Sequence, residues 1–397
     1  FKEDDKVTDL LIAVHEQREK GQDTTDTLTR IEERFQSIVQ GLGIDFDVKK
    51  EIDTIRSHMQ DEPSLDYLAS RGEYLNAKIF AEYMGWPFVD ACDLIRFHQS
   101  GMLNESITYA FAERMLEQYD RAVIPGFYGA GNNGLIKTFS RGGSDITGAI
   151  VARAVKADVY ENWTDVNGFM SADPRIISDP KQIDIISYRE LRELSYMGAS
   201  VLHEDSIFPL RNTGIPILIK NTMNPKAKGT TIVSRYPVNM HTHAVTGIAG
   251  KKGFSNLQIE MAMMNSRIGF GAKVLQIIAD NGISYEHTPT SIDIMSIIAE
   301  TQYFDKTRNK VIMEIDEAFH PDRIFLEDGI ALIAIVGEGI SKNVGIAAKV
   351  IQCFADAKVN IRMIDAGCSE LNIIVGVEDA DYEKAIRALY DRLYEYF

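Results

Sequence analysis

From Arg267 the chain reads Arg-Ile-Gly-Phe-Gly-Ala-Lys-Val-Leu-Gln, and from Asn343, 76 residues on, it reads Asn-Val-Gly-Ile-Ala-Ala-Lys-Val-Ile-Gln. The same offset aligns Ala279-Asp280 with Ala355-Asp356 and runs without a gap to Ile297-Ile298 against Ile373-Ile374. Each copy reads as a loop, a helix, a strand, a turn and a further strand. Two copies are too few for a solenoid, which needs at least three stacked repeats to bury a continuous core. The repeat therefore predicts two compact ferredoxin-like βαββαβ modules. Gly269 and Gly345 stand at the predicted helix starts, where bare N–H groups receive a carboxylate as readily as they permit close packing.

Upstream, Ser140-Arg141-Gly142-Gly143-Ser144-Asp145 opens a predicted helical run from Ile146 to Ala157. Paired glycines let backbone N–H groups approach an anion, and a Ser-Asp pair at a helix start caps the helix and reaches a polar ligand. A glycine pair alone more often just joins two elements. Here the apolar run Val123 to Phe127 reads as a buried strand before it. Val159-Tyr160 reads as the next strand, leading to Trp163-Thr164-Asp165-Val166 and Asp173-Pro174-Arg175. That order belongs to an open, mostly parallel α/β sheet flanked by helices, with both loops facing one cleft at the carboxyl ends of the strands.

At 397 residues the chain is long enough for two or three domains. Its 58 acidic against 42 basic side chains, net −16, exclude nucleic-acid binding through a basic surface. Cys92, Cys353 and Cys368 have no metal-ligand spacing and leave an odd count, which predicts reduced thiols and no metal site. No run of ~20 apolar residues and no signal peptide stands out, so a cytoplasmic protein without a membrane partner is expected. Asp5 to Lys20, Thr27 to Val39 and Phe46 to Met59 are predicted amphipathic helices. The expected division is a catalytic domain over 1–235, a linker over 236–250, and modules over 251–326 and 327–397. His241 and His243 read as part of the solvated linker.

Val7-Thr8-Asp9-Leu10-Leu11, Ser70-Arg71-Gly72-Glu73, Ser140 to Asp145, Trp163 to Gly168, Ala172-Asp173-Pro174-Arg175 and Met197 to His203 occur in that order. Along essentially its whole length the chain thereby resembles the aspartate kinases of the amino-acid kinase superfamily, and its repeats resemble their C-terminal ACT domains. The resemblance implies an enzyme that uses ATP and Mg2+ to phosphorylate the side-chain carboxylate of L-aspartate. The product, 4-phospho-L-aspartate, begins lysine, threonine and methionine synthesis.

It further implies that Thr164, Asp165, Met170, Arg175 and Ser200 contact the nucleotide. Thr8, Glu73 and Arg141 would contact aspartate, and Arg141, Ser144 and Asp145 would form the catalytic turn. An inhibitor, lysine or alternatively threonine, is expected in a homodimer or higher oligomer formed through the ACT modules. Its site would include Met264, Ser266, Gly269, Phe270, Glu286, Thr290 and Asp293. The second module places Arg362, Ala366 and Ser369 opposite the last three and is read as lacking the site. The family inserts the second module in the first, so the last segment is expected to complete the first module.

The family's Lys-Phe-Gly-Gly-Ser motif is absent. Because Phe1 falls where the family is past its first strands, the chain is read as lacking its natural N-terminus. Some relatives carry lysine at the position of Ser200. Bland alternatives stand beside these roles: Glu73 as a helix-dipole partner, Asp165 and Asp173 as turn formers, and His203 as a packed core residue. A non-catalytic regulatory subunit and a kinase of another amino acid remain alternatives for the whole chain.

Overall fold

In the computed structural model the described residues are 6–61, 64–140, 142–199, 202, 204–236, 244–366 and 370–396. The chain divides into two compact units, Phe1–Trp163 with Leu202–Leu218, and Thr164–Val201 with Ile219–Phe397.

The first unit begins with α1 (Val7–Glu19), α2 (Thr25–Leu42), α3 (Val48–Asp61) and α4 (Leu65–Met84). In α2 the buried side chains Leu28, Ile31, Phe35 and Val39 recur at helical spacing. They join Leu11, Val14, Ile52 and Leu75 in one core, each such burial contributing about 1.5–3 kcal/mol. Ser64 caps α4 by accepting from Tyr67 N at 3.1 Å. Next come α5 (Ala91–Leu94), α6 (Glu105–Leu116), the hairpin β1 (Tyr128–Ala130) and β2 (Ile136–Thr138), α7 (Gly143–Ala154) and β3 (Tyr160–Thr164). The expected strand over 123–127 is reduced to a single parallel bridge between Val123 and Phe88. Gly126 and the left-handed Phe127 turn the chain before extended structure resumes at Tyr128.

In the second unit β4 (Ile185–Ser187) leads straight into α8 (Tyr188–Tyr196), and β5 (Ile217–Asn221) precedes β6 (Thr230–Val233). β4 and β6 are parallel, with Ile186 opposite Ile232. β7 (Gly247–Glu260) then opens the repeat region of α9 (Phe270–Asp280), β8 (Tyr285–His287), β9 (Ile294–Glu300), α10 (Thr301–Phe304) and α11 (Arg308–Phe319). β10 (Arg323–Val336), α12 (Ile346–Asp356), β11 (Met363–Asp365), β12 (Asn372–Glu378) and α13 (Tyr382–Leu393) complete it. Six strands pair in the order β11-β12-β10-β7-β9-β8.

β7 and β10 are each 14 residues long and belong to both modules. Past the irregular pairing at Asp328 to Leu332, the half of β7 from Phe254 to Glu260 lies between β9 and the start of β10. The half from Gly247 to Lys251 pairs with Leu332 to Val336, and that stretch of β10 also pairs with β12. The second module, with α12 and α13, thus takes its fourth strand from upstream of the first. The nesting is the reverse of the expected one: the first module is inserted in the second. The last helix buries Ile386 and Leu389 with Ile248, Ile333, Val350 and Val375, in the second module's own core.

The repeat register also changes. Phe254 faces Glu300 and Ile330 faces Glu378, so the first members lie 76 apart and the second members 78. His287 faces Ile298 and Met363 faces Gly376, so the paired positions of the second hairpin are two residues further apart in sequence than those of the first. Glu286 still corresponds to Arg362. Asp293, directly before β9, corresponds to Leu371 rather than Ser369.

Candidate functional site

In the first unit α7 starts at Gly143, three residues earlier than its spacing predicts, so Ser144 and Asp145 lie in its first turn. Gly142 takes φ 57° at the N-cap. A Cβ on Gly143 would lie 2.8 Å from Phe139 Cβ and 2.9 Å from Phe127 Cα, so only glycine fits this approach. Phe127 holds φ 80°, a conformation that a bulky side chain adopts only where its surroundings enforce it. Its carbonyl accepts from Phe139 N at 2.9 Å, tying the two segments beside the turn. The α7 N–H groups and helix dipole suit an anion.

Asp145 is held from behind. Asn162, buried on β3, donates from Nδ2 to Asp145 Oδ1 at 2.8 Å and to Tyr160 Oη at 3.1 Å. Tyr160 Oη donates to the Asp145 carbonyl at 3.2 Å. Burial pushes the Tyr160 phenol up to about 12, so it stays a donor at neutral pH. The strand before the turn is fixed by Asp66 in the first turn of α4, which accepts from Thr138 N at 3.2 Å, Thr138 Oγ1 and Lys137 Nζ at 2.7 Å. Burial would raise the Asp66 pKa, but these donors outweigh it and hold the carboxyl below its ordinary value.

Glu73 is not near a helix start: it is the ninth residue of α4, out of reach of the terminal dipole that offered a structural reason for an acid there. It is half-buried, and desolvation raises its pKa. Gly72 brings α1 close, a Cβ there lying 3.3 Å from Val7 Cγ1, so the turn carrying Thr8 lies against the turn carrying Glu73. Arg141 lies outside the described residues.

In the second unit, Thr164 Oγ1 lies 3.3 Å from Asp165 Oδ1, and the Thr164 carbonyl accepts from Thr222 N at 2.8 Å. Met170 bridges Gln182 in a narrow antiparallel ribbon. Arg175 is held by Asp173, Nη2 to Oδ2 at 2.7 Å with Nε on both oxygens at 3.0 and 3.1 Å. That contact is the main cause of the lowered Asp173 pKa. Asp173 is thus a turn former and also an anchor for the arginine two residues on. Ser200 and His203 lie outside the described residues, as do His241, His243 and Cys368.

Most of the expected effector residues lie at the end of the first module where β7 finishes and β9 begins, while Glu286 on β8 lies opposite Ile298 and Ala299, toward the other end of β9. Met264 and Ser266 form a short 3-10 turn, Gly269 caps α9 at φ 82°, and Phe270 packs into the module core. Asp293 Oδ1 accepts from Met263 N at 2.8 Å, and Thr290 Oγ1 donates to the Thr288 carbonyl at 3.0 Å. Glu286 accepts from Tyr196 Oη at the end of α8. In the second module Arg362 pairs with Glu378 at 2.9 Å and with Glu327.

Sequence reasoning missed Glu190. Fully buried, it accepts from Ser187 N at 3.0 Å, Ser187 Oγ at 2.9 Å, Tyr236 Oη at 2.6 Å, Thr246 Oγ1 at 2.6 Å and Glu338 N at 2.9 Å. It binds α8 to the strands of the second module. The Ser187-x-x-Glu190 capping-box pattern after Ile185-Ile186 was the available signal. Nothing in the sequence marks Phe127. Among the described residues no group of three or more His, Cys, Asp or Glu is arranged to hold a metal ion, and no helix is long and apolar enough to cross a membrane.

A glycine turn at a helix start in an α/β unit, together with two nested ferredoxin-like modules, is the architecture of an amino acid kinase with ACT domains. Accordingly, a sequence model of the amino acid kinase family matches residues 6–221, and one of the ACT domain matches residues 333–393. Aspartokinase 3 of Bacillus subtilis (strain 168) is 38% identical over 410 residues, covering 99% of this chain and 90% of that protein. The crystal structure of Clostridium acetobutylicum aspartate kinase superimposes with a TM-score of 0.90 at 45% identity, over 99% of this chain and 90% of that one. E. coli aspartokinase III in complex with aspartate and ADP gives a TM-score of 0.73 at 25% identity, covering 98% of this chain and 91% of that one. With lysine and aspartate, the same enzyme gives 0.73 at 26%, covering 98% and 90%. The chain belongs to the aspartokinase family and is an enzyme of the kinase class.

Proposed function

We propose that this protein transfers the γ-phosphoryl group of ATP to the side-chain carboxylate of L-aspartate, forming 4-phospho-L-aspartate for lysine, threonine and methionine synthesis. The observation that carries the reading is the start of α7, where Gly143 admits no Cβ and Asp145 is oriented by Asn162. Phosphoryl transfer needs alignment and charge neutralisation more than covalent help from the protein. ATP with Mg2+ supplies the phosphoryl group.

Thr164, Asp165, Met170, Arg175 and Ser200 are the groups proposed to hold the nucleotide, with Arg175 pre-set by Asp173. Arg141 would grip an aspartate carboxylate with its two-pronged guanidinium, while Glu73 pairs with the α-ammonium and Thr8 adds a hydroxyl. Ser144 and Asp145 would order the turn around the transferring group. The acceptor carboxylate is already ionised at neutral pH, so no general base is required. Lysine, with threonine as the alternative, would inhibit at the first module of a homodimer, its ammonium drawn to Glu286 and its carboxylate to the N–H groups around Gly269.

The clamp is tested by Arg141→Ala, which should lose roughly 2–5 kcal/mol of kcat/KM for aspartate. Arg141→Lys should recover little, because a point charge cannot make the bidentate contact. Near-normal turnover of the lysine variant would remove Arg141 from the clamp.

A further inference from the structure

The two expected nucleotide contacts Met170 and Arg175 ride on one loop. Phe169 to Ser171 and Lys181 to Ile183 form its neck: Ser171 N donates to the Lys181 carbonyl at 2.9 Å, and Ile183 N to the Phe169 carbonyl at 2.8 Å. Beyond the neck, Arg175 points to solvent with 85% of its side chain exposed, while Ala172, Ile176 and Ile177 turn the other way. These three are buried in the core that α12, α13, β10 and β12 build for the second module. A surface loop with an apolar underside of this kind is ordered by what it packs on.

Polar contacts fix its register on that module. Lys181 N donates to Tyr390 Oη on α13 at 2.9 Å, and Lys181 Nζ donates to the Tyr394 carbonyl at 2.9 Å and lies 4.0 Å from that ring's centre. Ile248 N, on the strand that β7 lends to the second module, donates to the Ser171 carbonyl at 2.7 Å. At the other end of α13, Tyr382 Oη donates to the Gly250 carbonyl at 2.7 Å, holding the helix to the same strand. The second module has Arg362 where the first has the acidic Glu286, so a role as a duplicate sensor does not account for it.

We propose that the second module is the seat of the nucleotide loop and that Tyr390 is a nucleotide-positioning residue. Its hydroxyl sets the neck of the loop, and thereby where Met170 and Arg175 meet the nucleotide, without touching the nucleotide itself. This inference rests on the nucleotide assignment above and goes beyond it by giving the second module a part in the ATP step. A ligand that displaces the first module's strands also strains β7 and β10, which the two modules share, so the seat is a route by which effector binding reaches ATP affinity.

The test uses the full natural chain and MgATP, with nucleotide affinity measured by calorimetric titration and KM values by steady-state kinetics. Tyr390→Phe keeps the ring and removes the hydroxyl. It should weaken ATP binding and raise the KM for ATP by about 5- to 10-fold, the usual consequence of one lost hydrogen bond. The KM for aspartate should stay within about twofold. Arg387→Ala, an exposed change on the same helix, should leave both unchanged. If Tyr390→Phe does not fold, Ile176→Val must raise the KM for ATP selectively instead. A variant that binds ATP as tightly as the parent, or that raises both KM values alike, overturns the seat. A parent that fails to bind ATP overturns the nucleotide assignment itself.

Discussion

Replacing Asn162 by leucine keeps nearly the same volume on β3 but removes the only amide donor that the structure places against the Asp145 carboxylate, at 2.8 Å among the described residues. A hydrogen bond to a charged group contributes about 1.5–3 kcal/mol. Asp145 is half-buried rather than sealed, so water replaces part of that donor and roughly 1–2 kcal/mol is the expected loss. If the carboxylate must point into the α7 turn for phosphoryl transfer, the loss falls on the transition state and kcat drops about 5- to 30-fold. KM for aspartate and ATP should move by less than about threefold. Asn162→Asp should be worse than leucine, since it sets a second carboxylate beside the first. Steady-state kinetics with a urea titration on the same samples separates activity from folding. Full kcat in Asn162→Leu, or a loss matched by the fraction unfolded, would refute the view that Asn162 orients Asp145.

Two other changes probe separate parts of the account. Burial raises the Glu73 pKa, so the folded state holds that proton more tightly than the unfolded chain, and ionisation opposes folding as pH rises above the ordinary glutamate value. Glu73→Gln should therefore raise Tm at neutral pH by about 1–3 °C, with the gain disappearing as pH falls below that value; an unchanged Tm at pH 7 would mean the burial has no such effect. Tyr196 competes with any incoming ammonium for Glu286, so Tyr196→Phe should tighten lysine binding by about 3- to 10-fold in calorimetry, and weaker or unchanged binding would count against Glu286 as the ammonium site.

The helical first section was legible because α1, α2 and α3 bury one stripe each, and a 3.6-residue period survives in any single sequence. The glycine turn was legible because its demands are local: Gly142 takes a positive φ, and Gly143 meets Phe139 and Phe127, which lie a short way upstream. The nesting of the modules was not. β7 and β10 each run unbroken for 14 residues, and nothing in their pattern says that each half pairs with a different module. The one local sign is Gly253 and Gly329, 76 residues apart, both at positive φ beside the change of pairing. Extending the repeat backwards to these two would have located the division. Glu73 was misplaced relative to its helix because the run Leu65 to Met84 has its cap at Ser64, well before the Ser70-Arg71-Gly72-Glu73 motif that drew notice. Residues that act by holding others, such as Glu190 and Asn162, have partners up to 148 and 17 positions away, and a linear reading contains no trace of those distances.

The central claim is that an aspartate carboxylate receives the phosphoryl group. It is tested most directly by incubating the full natural chain with MgATP and aspartate in the presence of hydroxylamine, which traps an acyl phosphate as its hydroxamate. The account predicts aspartyl hydroxamate in proportion to ADP formed, little or none with glutamate, and a fall of at least tenfold in Asp165→Asn while the protein remains folded. ADP release without hydroxamate, or hydroxamate formed equally well from glutamate, would contradict it.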